Sequence, residues 1–413
     1  MRQGGLFYGW VIVACAFTVM MIGFGVAYSF AAFFDDLQRE FGASRADVSL
    51  IFSISGFLYF SLGAVSGPIA DRVGPRGVIA CGMLLVGLGL LLGSRAEALW
   101  QVYATYGVAV GIGIGFSYVP AIGAVQRWFV ERRGFASGLA VTGIGVGTLA
   151  MPPIAAWLID LGGWRGAYVV LGVVALVVGG GAALLIDQSP HKRGLLPDGA
   201  VGGGAAAAPV LAGIGLRQAL GTGPFWLIFL SAMVTSFGLF IPFVHLSRYA
   251  VDHGHSEAQG ILMVSLIGVG SILGRFLLGG IADRLGRRRA FVGMFVGMLA
   301  MLIWWYLSTG LIALGVFAVL FGTFYGGFVA LAPALAADYF GGRNISGIIG
   351  FLYSGVAVGT LCGPVLAGVA FDLLGSYDLP ILAAAACNII AVAAIVALRD
   401  PVAWRNAKAA LFA

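Results

Sequence analysis

Long apolar runs separated by short polar stretches dominate the chain. Runs close to twenty residues or longer recur twelve times, at 7–34, 46–70, 77–94, 98–128, 134–160, 165–187, 224–250, 258–282, 289–308, 311–338, 345–371 and 379–399. A hydrocarbon core of about 30 Å needs about twenty helical residues to cross it. Open strands cannot satisfy their backbone in lipid, so each run is expected to be a helix. The first run, from Leu6 to Phe34, is too long for the core of a signal peptide and is expected to stay in the mature protein as the first span. The expected fold class is therefore all-α integral membrane, with twelve transmembrane helices.

The pattern breaks once at length. Gln188-Ser-Pro-His-Lys-Arg193 is polar, and 199–209 is Gly/Ala-rich. This predicts an N-terminal six-helix bundle (1–187), a linker (188–222) and a C-terminal six-helix bundle (223–413). The halves repeat at an offset of 212. Gly67-Pro-Ile-Ala-Asp71-Arg72-Val-Gly74-Pro-Arg76 matches Gly279-Gly-Ile-Ala-Asp283-Arg284-Leu-Gly286-Arg-Arg288. Gly147-Thr148-Leu149 with Pro152 and Asp160 matches Gly359-Thr360-Leu361 with Pro364 and Asp372. Six spans per half give both halves the same orientation, a parallel repeat.

Composition agrees. The 413 residues are 60% hydrophobic and 10% charged, with mean hydropathy +1.01, where soluble domains carry about 25% charged residues. The net charge of +6 does not indicate nucleic acid, because Lys and Arg gather beside the spans. Of 23 such residues, 17 flank one side, 5 flank the other, and Arg275 lies within a span. The side richer in Lys and Arg is cytoplasmic by the usual bias, which places both termini and the linker in the cytoplasm. The four Cys fall inside apolar runs, so neither a disulfide framework nor a metal site is expected.

The candidate chemistry starts with Arg275 in the eighth run. It precedes Asp283 by eight residues, about 12 Å along a helix, too deep to reach the interface easily. Its repeat counterpart is Gly63, so a scaffold role common to both halves does not explain it. No Asp or Glu lies deep in any run. A deep guanidinium without an internal carboxylate calls for an external anion. His245, three residues after Pro242 near the outer end of the seventh run, is a candidate substrate contact and, with Arg275, a candidate proton-coupling group. Tyr118, Tyr325, Tyr28, Tyr353 and Ser354 are candidate lining groups, and Phe324, Phe328, Phe351, Leu352 and Val356 are available for an apolar wall. In the paired loops, Asp71, Arg72, Arg76, Asp283, Arg284 and Arg288 are expected to clasp across the two halves as a cytoplasmic gate. Gly74 and Gly286 are expected to allow the turns. Nothing supports catalysis: Ser/His/Asp, HExxH and Walker arrangements are all missing, and the Gly-rich 111–115 lies inside a span.

Twelve spans, a 6+6 parallel repeat and this loop in both halves resemble the major facilitator superfamily over essentially the whole chain. Phe7-Tyr8-Gly9-Trp10, Trp128-Phe129-Val-Glu131-Arg132-Arg133 leading into Gly138 and Gly143, and an arginine in helix 8 resemble its monocarboxylate-transporter and oxalate/formate-antiporter branch. The resemblance implies that helices 1, 4, 7 and 10 line a cavity used by alternating access. The sequence departs from the branch in three places. Gly4 and Gly5 stand where eukaryotic relatives have an acid before helix 1. Ser271 stands where they have an Asp one turn before the helix 8 Arg. Helix 11 lacks the second cation of the oxalate exchanger. The expected function is transport of one small monocarboxylate, lactate- or pyruvate-like, with proton symport and no cofactor. An oxalate-type dicarboxylate exchanger and a non-transporting receptor on the same fold are the alternatives. The expected setting is a bacterial inner membrane, with a monomer working in the lipid bilayer.

Overall fold

A computed structural model describes residues 7–129, 132–199, 213–341 and 345–407, apart from the side chains of Arg133, Lys192, Asp283 and Ser346. Within these residues the regular structure is helical. The first span, α1 (Tyr8–Tyr28), breaks at Ser29 and continues as the amphipathic α2 (Phe30–Phe41). Then come α3 (Arg45–Val73) and α4 (Pro75–Gly93). The short α5 (Leu99–Val102) passes through a π-helical stretch (Tyr103–Val110) into α6 (Gly111–Trp128). α7 (Arg133–Val174) is broken at Gly162 and Gly163, where φ at Gly163 is +68°. Only glycine adopts that conformation at little cost, and the break separates the fifth span from the sixth. Among the described residues, eleven helical stretches are long and apolar enough to cross a membrane. Because one of them contains this break, the chain has the twelve spans its pattern predicts. α8 (Gly180–Leu185) completes the sixth.

The second half repeats this plan. After α9 (Leu216–Leu220), α10 (Gly223–Leu239) breaks at Phe240, and α11 (Ile241–Asp252) restarts with Pro242 in its first turn. Proline is tolerated there because the first-turn N–H has no helical partner. α12 (Glu257–Leu285) begins and ends 212 residues after α3. It is followed by α13 (Arg287–Tyr306), α14 (Leu311–Phe340), α15 (Ile345–Leu374), α16 (Asp378–Ala397) and α17 (Pro401–Ala407). Gly74 and Gly286 take matching left-handed turns, φ +94° and +85°, so the two loops share one backbone.

Close helix approach depends on missing side chains. A Cβ on Gly274 would lie 1.9 Å from the Thr323 carbonyl oxygen, and one on Gly326 2.2 Å from that of Ser271. α12 and α14 thus meet backbone to backbone, the small-residue packing that membrane helices use, and this fixes the helix bearing Arg275. Two long seams join the halves, α3 against α15 and α7 against α12. The two aromatic sequence motifs form one unit: Phe7, Tyr8 and Trp10 pack on Trp128 and Phe129 with ring centroids 4.9 to 5.8 Å apart.

Candidate functional site

Arg275 projects from α12 into a cleft of about 1460 Å3. Gln126, Gly134, Ser137 and Gly138 line one wall, and Val329, Pro333 and Arg287 line the other. Arg287 begins α13, so the cleft extends to the end of the bundle that carries the Arg-rich loops. Arg275 is 7% exposed. Its Nη1 donates to Ser271 Oγ at 2.8 Å and reaches the Ser271 carbonyl at 3.4 Å. Nε and Nη2 have no hydrogen-bond partner among the described residues. Among the described residues the ionisable groups that face its charge are Tyr325, Tyr118 and Tyr28, and none is a carboxylate. α7 reaches the guanidinium at Gly145, where a Cβ would come 2.9 Å from Nη1. The sequence marked Ser271 only as the place of a missing acid, and it did not single out Gly145. Ser271 stands one helical turn before Arg275, a spacing that already placed it beside the charge.

Tyr118 and Val329 connect this cleft to a narrower chamber of about 430 Å3. Tyr28, Tyr118, Tyr325 and Tyr353 all line it, with Phe24, Phe328 and Val356. The structure therefore brings together the four tyrosines that the sequence proposed. Tyr28 and Tyr325 meet hydroxyl to hydroxyl across the halves at 2.9 Å. Tyr28 also stacks on Phe243, centroids 4.5 Å apart, which closes the chamber on the side away from Arg275.

Three expectations need correction. Ser354 lines neither cavity, because its hydroxyl turns back to the Phe351 carbonyl of its own helix at 2.7 Å. Phe351 packs among Phe225, Trp226 and Phe229, and Phe324 covers Gly297, so neither faces the cavities. The loop residues do not clasp across the halves. Asp71 pairs with Arg127 at 2.6 Å, Arg76 with Asp187, and Arg287 with Asp338, each within its own half. Arg288 donates to the Val396 carbonyl at 2.7 Å, and Arg72 and Arg284 are exposed. The Asp283 side chain lies outside the described residues. A clasp requires the halves to close at this end, and here the cleft separates them.

His245 also lies away from the cleft. It is fully buried in a polar network at the opposite end. Its Nε2 is 2.9 Å from the Pro364 carbonyl and 3.1 Å from Ser49 Oγ, and its Nδ1 is 2.9 Å from Tyr377 Oη. A carbonyl only accepts, so Nε2 carries the proton and Nδ1 accepts from the Tyr377 hydroxyl. Tyr377 Oη in turn accepts from Arg45 Nη1 at 2.7 Å. Arg45 holds Asp252 in a two-pronged pair, 2.6 and 2.9 Å, with its guanidinium 3.6 Å over the Phe371 ring. Asp372 accepts from the backbone N–H of Arg45 and Ala46 at 3.1 and 2.9 Å, at the start of α3. Arg248 bridges Asp35 and Asp252. Most of these bonds cross between the halves, so this end is shut. The sequence missed the network, although Arg45 and its repeat counterpart Glu257 invert charge at one helix position. Among the described residues, no cluster of three His, Cys, Asp or Glu side chains is placed to hold a metal.

A family model for the Major Facilitator Superfamily matches residues 13–314 and 250–412. The chain belongs to that superfamily of membrane transporters and, within it, to the monocarboxylate transporter family. Monocarboxylate transporter 12-B of Danio rerio is 31% identical over 405 residues, covering 91% of this chain and 85% of that protein. Monocarboxylate transporter 13 of Rattus norvegicus is 29% identical over 391 residues, covering 92% and 86%. The crystal structure of a bacterial homolog to the human lysosomal transporter Spinster, inward-facing and unoccupied, superposes with TM-score 0.67 at 16% identity, over 99% of this chain and 98% of that one. That likeness establishes the fold. The protein is thus a multi-pass transporter and not an enzyme.

Proposed function

We propose that the protein carries one small monocarboxylate, lactate- or pyruvate-like, across the membrane by alternating access with proton symport. The observation that carries this reading is the pair of empty donors on Arg275, Nε and Nη2, at a cleft with no facing acid among the described residues. The two open N–H groups form a fork that matches the two oxygens of a carboxylate. The apolar wall of Phe24, Phe328 and Val356 beyond Tyr118 suits a short aliphatic end. One cation accepts one carboxylate, which favours a monoacid over a diacid. The names of the relatives support the same substrate class.

The two halves, 1–187 and 223–413, rock about the α3–α15 and α7–α12 seams. With the Arg-rich end in the cytoplasm, the cleft is the inward-open arm and the Arg45–His245 network is the closed outer gate. Protonation of His245 would put a second donor at Nδ1, facing the Tyr377 hydroxyl that now donates to it. The gate would lose that bond, so an outside proton favours opening. Symport also has an energetic basis: moving one negative charge against the membrane potential costs about 2.3 kcal/mol per 100 mV, and a proton cancels it.

The test is uptake of labelled lactate into proteoliposomes. Uptake is expected to rise with an inward proton gradient and to vanish in Arg275→Gln. Uptake that ignores the gradient and requires internal anion would replace symport with exchange. Normal uptake by Arg275→Gln would sink the substrate assignment.

A further inference from the structure

The second half carries a basic cavity beside the Arg275 cleft, sharing only Arg287 with its lining. About 940 Å3 in size, it lies where the α12–α13 turn, the end of α14 and α17 meet. Four arginines line it, Arg287, Arg288, Arg289 and Arg405, with two acids, Asp338 and Asp400. Both acids are already engaged, one of them by an arginine of the cavity itself. Asp338 pairs with Arg287. Asp400 accepts the Val402 and Ala403 N–H groups at the start of α17, at 2.9 and 3.2 Å. Arg288 spends its donors on the last carbonyls of α16, which do not cancel its charge. Arg289 and Arg405 have no hydrogen-bond or ion-pair partner among the described residues.

The internal repeat provides a control. The positions equivalent to Arg287 and Arg289 are Pro75 and Gly77. Arg76, equivalent to Arg288, is neutralised by Asp187, which also takes Arg193. The counterpart of Asp187 is Arg399. Where the first half neutralises its corner, the second half has reversed the charge and left two guanidinium groups open. Orientation of the chain needs cations near the spans, but it does not need them converging on one cavity. Two apolar residues at that cavity, Leu285 and Val402, are 55% and 57% exposed.

We propose that this cavity binds the phosphate of an anionic lipid, with the acyl chains running beside Leu285 and Val402. Guanidinium forks match phosphate oxygens, and basic pockets at the ends of membrane helices bind such headgroups. Arg287 also lines the cleft of Arg275, so the headgroup sits beside the mouth of the transport path.

Native mass spectrometry of the detergent-purified protein tests this with phosphatidylglycerol, phosphatidylcholine and inorganic phosphate as probes. The wild type is expected to retain phosphatidylglycerol in preference to phosphatidylcholine. Each removed charge weakens retention about fivefold, so Arg289→Gln loses one such step and Arg289→Gln/Arg405→Gln about 25-fold in all. Arg95→Gln, exposed at the opposite end, leaves retention unchanged, and the single exposed variant guards against a folding defect in the double one. Equal retention of the two lipids, or full retention by Arg289→Gln, overturns the proposal. Displacement of phosphatidylglycerol by an equal concentration of inorganic phosphate overturns the lipid and assigns a free phosphate anion.

Discussion

Arg45 and Arg275 are equally hidden, each 7% exposed, yet they have opposite surroundings. Arg45 gives both Nη groups to Asp252, adds Tyr377, and lies flat on Phe371. Arg275 has one serine and two idle nitrogens. Burial does not separate a structural arginine from a binding one; hydrogen-bond accounting does. A buried charge with a good partner holds two elements together, and removing one member strands the other. A buried charge without a partner raises the energy of the empty protein, and a ligand that supplies the missing acceptor recovers that energy. The two sites lie toward opposite ends of one path, with the Tyr28–Tyr325 contact between them.

Replacing each arginine by methionine keeps an unbranched apolar stem and removes the charged head, and the two outcomes should differ in sign. Arg45→Met leaves Asp252 and the Tyr377 hydroxyl without their donor. The expected loss is about 3 kcal/mol, at the low end for a broken buried pair, because Asp252 is 24% exposed. It should appear as a fall of several degrees in the melting temperature in detergent. Arg275→Met removes an uncompensated charge, so its melting temperature should hold or rise while lactate uptake disappears. Equal destabilisation by both would make Arg275 a scaffold residue and end the comparison.

The sequence made one of these arginines legible and obscured the other. Arg275 stands within an apolar run and its repeat counterpart is Gly63, so period and offset were enough to expose it. Arg45 begins a helix, where a cation reads as an orientation signal. Its partners Asp252, Asp372 and Tyr377 lie more than 200 residues away, and only the packing of α3 on α15 brings them together. The spans, the repeat and the Gly74 and Gly286 turns were readable because they depend on local chemistry. Ser354 was misread because a hydroxyl can bond its own helix, and helix position does not reveal that choice. The loop clasp was expected from charges that turned out to have nearer partners, such as Asp187 for Arg76.

His245 sharpens the comparison, since it belongs to the satisfied end and yet can change its own proton count. In His245→Gln the amide can still donate toward Pro364 but cannot take a proton. Lactate uptake in proteoliposomes should lose most of its rise as the outer pH falls. The half-saturating lactate concentration should stay the same, because His245 does not line the Arg275 cleft. A variant with the full pH response would move the proton to another carrier and leave the outer network as a latch alone.

The smallest effect concerns what holds the unsatisfied arginine in place. At Gly145 a Cβ would lie 2.6 Å from Ile272 Cγ1, 3.3 Å from its backbone nitrogen and 2.9 Å from Arg275 Nη1. The nitrogen belongs to the α12 backbone, which α14 fixes through its glycines, so the strain must move α7 or tilt the guanidinium. Overpacking of this kind costs about 1–3 kcal/mol. Spent on the binding geometry, that is a loss of about tenfold in uptake, smaller than the complete loss at Arg275. Gly166→Ala, where a Cβ meets nothing within 4 Å, serves as the control on α7 and should transport normally. If Gly145→Ala also transports normally, the α7–α12 seam has room to adjust, and Arg275 is held by Ser271 and its own helix rather than by the opposing half.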